Sequence, residues 1–102
     1  MAAPGQPFAF ATWTVKGGKE EAFVAAWKDF ARWSRANLPG SQGAYLLRDV
    51  SKQNRFISMG PWKDVDSLLA WRSRPEFEDF LKRMGEICEE VGPATLSLVA
   101  YV

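Results

Sequence analysis

Any chemistry done by this chain is done without histidine and with a single cysteine, Cys88. Histidine is the side chain that most often titrates near neutral pH and the commonest metal ligand. Its absence excludes a Ser–His–Asp triad and a Cys–His nucleophile pair, and with one cysteine it excludes a zinc site. Carboxylates do not fill the gap, because the acidic residues fall mainly on predicted helix exteriors and no pair is placed for acid–base work. What the chain has in quantity is aromatic mass: five Trp, seven Phe and two Tyr. Polar handles on the predicted strands are scarce, and Ser58, Tyr45 and Arg48 are the ones that could orient a bound molecule.

The elements that must position these residues follow from hydrophobic period and turn chemistry. Residues 8–15, FAFATWTV, are β-rich and bounded by Pro7 and by Gly17-Gly18, which predicts a first strand. In the following stretch Phe23, Trp27 and Phe30 take helical spacing, with Ala26 and Trp33 beside them. Asn37-Leu38-Pro39-Gly40 ends that helix. Residues 43–50 and 55–61 read as a hairpin joined by the polar loop 51–54. Asp64 can cap a short helix carrying Val65, Leu68 and Leu69. Ser73 and Glu76 stand in capping-box spacing around Pro75, where a further helix starts. Its apolar positions run Phe77, Phe80, Leu81, Met84, Ile87, Cys88 and Val91, with Glu78–Lys82 and Asp79–Arg83 as i,i+4 ion pairs. Gly92-Pro93 stops it and ATLSLVAYV forms a last strand. The order is βαββαβ, an α+β chain with an antiparallel sheet and helices on one face, the ferredoxin-like arrangement.

A length of 102 residues fits one domain, with residues 1–7 expected as a flexible N-terminal segment. A formal charge of +1 from 13 basic and 12 acidic residues, mixed in sign along the chain, argues against nucleic acid or an acidic membrane as partner. No apolar run reaches the roughly 18 residues of a membrane span, and the start does not read as a signal peptide. The expected location is the cytoplasm, with Cys88 a buried thiol. Neither face of the first or last strand is strongly polar, whereas a sheet with one wet face alternates. Two helices cover one face, so the other is expected to be covered by a second copy of the same sheet, giving a two-fold homodimer.

A tryptophan leaving the third strand in MGPW (59–62), the segment LLAWRSRPEFEDFLKRM (68–84), the KGGKEE approach to the first helix (16–21) and the terminal strand together resemble the antibiotic biosynthesis monooxygenase (ABM) family of dimeric α+β barrels. The resemblance covers nearly the whole chain. It implies a pocket inside each subunit, between sheet and helices, and oxidation of polycyclic phenols to quinones by dioxygen with no metal, flavin or nicotinamide. A haem-degrading subset of the family uses a first-strand Asn, a Trp on the second helical region and a His after it. Here only the tryptophan carries over, as Trp71; Phe10 stands near the Asn position and Leu81 near the His. That route is not expected in this chain.

On this reading the small apolar or aromatic ligand is expected against Phe10, Trp27, Trp62, Trp71, Phe80 and Met84. For each of these the plainer alternative is core packing. Ser58, on the strand face of Phe56 and Gly60, could donate a hydrogen bond to a phenol or quinone oxygen. Tyr45 and Ser58 are the candidates for proton transfer. Trp13 points away from Phe10 and is assigned to the dimer interface, and Arg72 and Arg74 are expected as exposed helix-end charges, although either could meet an anionic substrate at a pocket mouth. Two functions fit: a cofactor-independent monooxygenase, in which the substrate carbanion reduces oxygen directly and the protein orients it and excludes water, or a binding protein of the same fold without turnover. An isomerase or lyase would need a proton-transfer group that the sequence does not show.

Overall fold

A computed structural model describes residues 4–102. Four strands and three helices follow in the order β1 (Pro7–Val15), α1 (Glu20–Asn37), β2 (Tyr45–Arg48), β3 (Arg55–Pro61), α2 (Val65–Arg72), α3 (Pro75–Ile87) and β4 (Cys88–Ser97). The strands form one sheet in the order β2-β3-β1-β4, antiparallel throughout. This is the expected βαββαβ order and ferredoxin-like sheet, with the second helical region broken in two at Ser73-Arg74. Part of the expected flexible N-terminus, residues 1–3, lies outside the described residues. Behind it, the Gly5 amide donates to the Leu98 carbonyl and the Leu98 amide to the Gln6 carbonyl, so Gly5 and Gln6 run beside Leu98, just past the end of β4.

Strand parity decides what faces the helices. Pro7, Ala11, Trp13 and Val15 are buried on β1, and Phe56, Ser58 and Gly60 on β3. The register sets Ala11 opposite Ser58 on one side and Pro93 on the other, and Trp13 opposite Phe56 and Val91. Under the helices Trp13, Val15, Phe23, Phe56, Phe80 and Met84 form the main core, and Leu38, Trp62 and Leu68 a second cluster. The rings interlock: Phe30 stacks on Phe80 with centroids 4.1 Å apart, and Trp13 meets Phe23 at 5.4 Å. On the opposite sheet face lie Phe8, Phe10, Ile57, Met59 and Leu96, with Tyr45 and Leu47 from β2.

Three local expectations are corrected. Trp13 lies in the core under the helices, 4% exposed, and not on the open sheet face. The third helix ends at Ile87, and Cys88 to Pro93 belong to β4. Gly92-Pro93 therefore sits within a strand, not at a helix stop. It does so on an edge strand, where proline is tolerated, and a Cβ at Gly92 would stand 2.6 Å from Thr12 Oγ1. Finally, no capping box forms at α3. Arg74 is its N-cap residue without a side-chain cap, Ser73 Oγ donates to the Leu69 carbonyl at 2.9 Å, and Glu76 pairs with Arg74 at 3.2 Å. The expected Glu78–Lys82 and Asp79–Arg83 pairs do not form: Arg74–Glu76 is the ion pair found among the described residues. Asp64 does cap α2, accepting from the Ser67 amide at 2.7 Å. No helix among the described residues is long and apolar enough to cross a membrane.

Candidate functional site

Between the sheet and the three helices lies a cavity, and its origin is a mismatch of side-chain size. The floor is small: Ala9 and Ala11 on β1, Ser58 and Gly60 on β3. The roof is large: Trp27 on α1, Trp71 on α2, Phe77 and Phe80 on α3. Big rings cannot settle onto small floor residues without leaving space between them, and dense packing is lost there. Trp62 closes one end beside Gly43 and Ala44 of the α1–β2 connection. Gly60 is required at that end, because a Cβ on it would stand 2.4 Å from the Gly43 carbonyl oxygen. Gly43 itself has φ +101°, a left-handed conformation that suits glycine. The cavity volume is ≈ 90 Å³, while an apolar cavity of about 150 Å³ holds benzene. Even a one-ring ligand therefore extends through the opening or displaces wall side chains. Ala44 and Pro93 are the exposed members of the wall.

The expected site residues divide cleanly. Trp27, Trp62, Trp71, Phe80 and Ser58 meet at the cavity. Phe10 contributes to its wall, but strand parity turns its side chain toward the open sheet face. Met84 is fully buried in the main core and does not line the cavity. Tyr45 is 68% exposed on the open face, so a proton-transfer role inside the cavity is not available to it. Sequence reasoning missed Trp13, Ser34 and Phe77 as wall residues, while Arg72, expected as a helix-end charge that could meet an anion at the pocket mouth, does line the wall. Helical spacing from Phe80 could have found Phe77; nothing in the sequence marks Trp13 or Ser34.

Polar chemistry in the wall is organised by two indole N–H groups, which are donors only. Trp71 Nε1 donates to Ser34 Oγ at 2.9 Å, and Ser34 Oγ donates in turn to the Phe30 carbonyl at 2.8 Å. Ser34 is thereby used at both ends, and it holds the Trp71 ring at a fixed angle over the floor. Trp13 Nε1 donates to Ser58 Oγ at 2.9 Å in a buried pair. Among the described residues no acceptor takes the Ser58 hydroxyl hydrogen. Ser58 can therefore donate one hydrogen bond into the cavity, and the donation it receives from Trp13 strengthens it as a donor.

The charged group of the wall is Arg72. Its Nη1 donates to Thr95 Oγ1 and its Nη2 to the Ala94 carbonyl at 3.1 Å, so α2 is tied to the sheet-edge strand β4. It is half-buried, and burial lowers its pKa from the usual arginine value. The exposed helix-end charge expected here is corrected accordingly. Arg74, by contrast, is exposed and paired with Glu76. Cys88 is buried outside the cavity wall, and desolvation pushes its thiol pKa up, with Lys16 partly opposing. It has the environment of a packed thiol, not of a nucleophile. Among the described residues no three His, Cys, Asp or Glu side chains gather into a metal site.

Residues 8–83 match the family model of the antibiotic biosynthesis monooxygenases. Among solved structures, SnoaB, a cofactor-independent oxygenase from Streptomyces nogalater, is 18% identical with a TM-score of 0.85, covering 96% of this chain and 97% of SnoaB. A Caulobacter crescentus protein, assigned by inference to the antibiotic biosynthesis monooxygenases, is 21% identical with a TM-score of 0.84, covering 95% and 92%. A Bordetella bronchiseptica protein with the same kind of assignment is 24% identical with a TM-score of 0.78, covering 96% and 99%. At these identities the likeness establishes the fold. No curated protein matches the sequence significantly.

Proposed function

The chain belongs to the antibiotic biosynthesis monooxygenase family, and on that premise we propose that it is a cofactor-independent monooxygenase acting on an aromatic, phenol- or anthrone-like substrate in the cytoplasm. The observation that carries the reading is the aromatic cavity with the buried Ser58 hydroxyl, which accepts from Trp13, left to donate into it. An electron-rich phenol loses a proton, and the resulting anion passes one electron to dioxygen. The radical pair joins as a carbon–oxygen bond. The peroxide then loses the ring proton and breaks its O–O bond, giving a quinone and one water. Electrons balance within substrate and oxygen, so the protein needs only to orient the ring, exclude water and stabilise the charge on oxygen. Ser58 donates to a ring oxygen, while Trp71, fixed by Ser34, lies against the ring face.

The same fold supports a homodimer joined through the open sheet face, where Phe8, Phe10, Ile57, Met59 and Leu96 stand together. An apolar sheet face of this kind is a self-association surface. Light scattering at micromolar concentration should give twice the chain mass; a monomer would remove this part of the reading.

One observation favours a second reading. No carboxylate or tyrosine stands in the cavity wall to take the substrate proton, which suits a protein that binds an aromatic metabolite without turning it over. Incubation with anthrone in air and under nitrogen separates the two. Quinone formation that requires oxygen and drops in Trp71→Phe supports the oxygenase. Saturable quenching of tryptophan fluorescence without any product supports the binding protein.

A further inference from the structure

The cavity wall has no base, yet it has a cation. Arg72 is the charged side chain of the wall, half-buried and desolvated. Two of its five N–H donors go to neutral acceptors, Thr95 Oγ1 and the Ala94 carbonyl, which leaves three. No carboxylate neutralises it. On neighbouring elements Glu76 of α3 is taken by Arg74, Asp66 of α2 makes no ion pair with it, and Glu90 of β4 lies opposite Thr14, at the other end of the strand from Ala94. A half-buried cation with only neutral partners is stabilised by any anion that enters beside it.

Its position relative to Ser58 is set by the sheet. Ser58 is opposite Ala11, and Ala11 is opposite Pro93, next to the Ala94 carbonyl that anchors Arg72. The two polar groups are therefore separated by two strand spacings, about 10 Å, with the small residues of β1 between them and the aromatic roof above.

Building on the proposed reaction, we propose that Arg72 is the anion-recognising group of this cavity: the ligand binds as a phenolate or enolate with its ionised oxygen at Arg72, while Ser58 marks the far end. Arg72 then does the work of the absent base. By stabilising the anion it lowers the pKa of the bound phenol, and water at the opening accepts the proton. No group on the protein has to change its own protonation state.

4-Nitrophenol tests this directly, because it has one ring and its phenolate is yellow while the phenol is nearly colourless. Titrated with excess protein, bound nitrophenol should ionise with a pKa at least one unit below that of the free compound, a tenfold shift toward the phenolate. Arg72→Gln should abolish the shift, and Arg72→Lys should keep part of it. Circular dichroism of each variant checks that the fold persists. Saturable binding without a lowered pKa, or a shift that survives in Arg72→Gln, would overturn the role of Arg72 and leave the cavity reading intact. Absence of saturable binding to the wild-type protein, followed by tryptophan fluorescence, would overturn both.

Discussion

Removing the Ser58 hydroxyl probes the cavity floor through its effect on Trp13. The Trp13 ring is 4% exposed, and its Nε1 donates only to Ser58 Oγ, at 2.9 Å. In Ser58→Ala that donor loses its acceptor, and an unsatisfied buried N–H costs about 1–3 kcal/mol. The cavity beside it can admit a water to the vacated position, so the expected loss is at the lower end, about 1–1.5 kcal/mol. Trp13→Phe removes the donor and some ring area, which also leaves a small void against Phe23 and Phe80. The double variant removes both partners, and a pair lost together costs less than the two losses added. The expected coupling is about 1 kcal/mol, well above the ~0.3–0.5 kcal/mol within which independent sites add. Urea unfolding at one fixed protomer concentration measures it, since association shifts apparent stability. In thermal melts each kcal/mol corresponds to roughly 4–8 °C for a domain of this size. Strict additivity of the two single losses would refute the hydrogen bond, and with it the claim that Ser58 is a polarised donor.

Three further outcomes are expected. Gly60→Ala places a methyl group 2.4 Å from the Gly43 carbonyl oxygen; displacing the α1–β2 connection should cost about 1–3 kcal/mol, read as a lower urea midpoint, and should raise the rate at which small quenchers reach tryptophan. Met84→Ala, in the fully buried core, should lose about 2–5 kcal/mol while the protein that remains folded binds aromatic ligands with unchanged affinity, because Met84 does not line the cavity. Asp64 has its pKa lowered mainly by its hydrogen bonds with Ser67, although it is exposed. Its folded pKa lies below the unfolded value of about 3.9, so its contribution is present above that pH and is lost as pH falls through the folded pKa. The acid arm of the melting profile should therefore flatten in Asp64→Asn, which keeps the α2 cap but cannot titrate.

Much of the architecture is legible in the residues because it rests on local rules. The change from strand to helical period places β1 and α1, Asp64 caps α2, Pro75 starts α3, and the polar loop 51–54 makes the hairpin. The roof aromatics Trp27 and Phe80 were found because helical spacing fixes a face, and Trp71 through the family resemblance. Where a pattern has two equally apolar faces, the sequence cannot choose between them. Phe10 and Trp13 alternate on β1, and each side of the strand looks like core; only the packing of α1 and α3 onto the Trp13 side decides which is inside. The end of α3 failed for a related reason. Cys88 and Val91 continue the helical apolar spacing, but nine residues of β1 were waiting for a strand partner, and pairing along β4 overrode the local pattern.

By itself, then, the sequence determined what chemistry is impossible here and supplied the aromatic mass. The absence of histidine, with a single cysteine, closed the zinc and triad routes before any fold was considered, and the change between strand and helical periods gave the βαββαβ order. The tertiary structure decided which side chains meet. Trp13 reaches Ser58 across 45 residues of chain, Trp71 reaches Ser34 across 37, and Arg72 is fixed by β4 groups 22 and 23 positions away. Such contacts follow from strand register and helix docking, which are set by the burial of the whole core rather than by any local spacing. For that reason the Trp13 partner of Ser58 and the neutral partners of Arg72 became visible only in three dimensions.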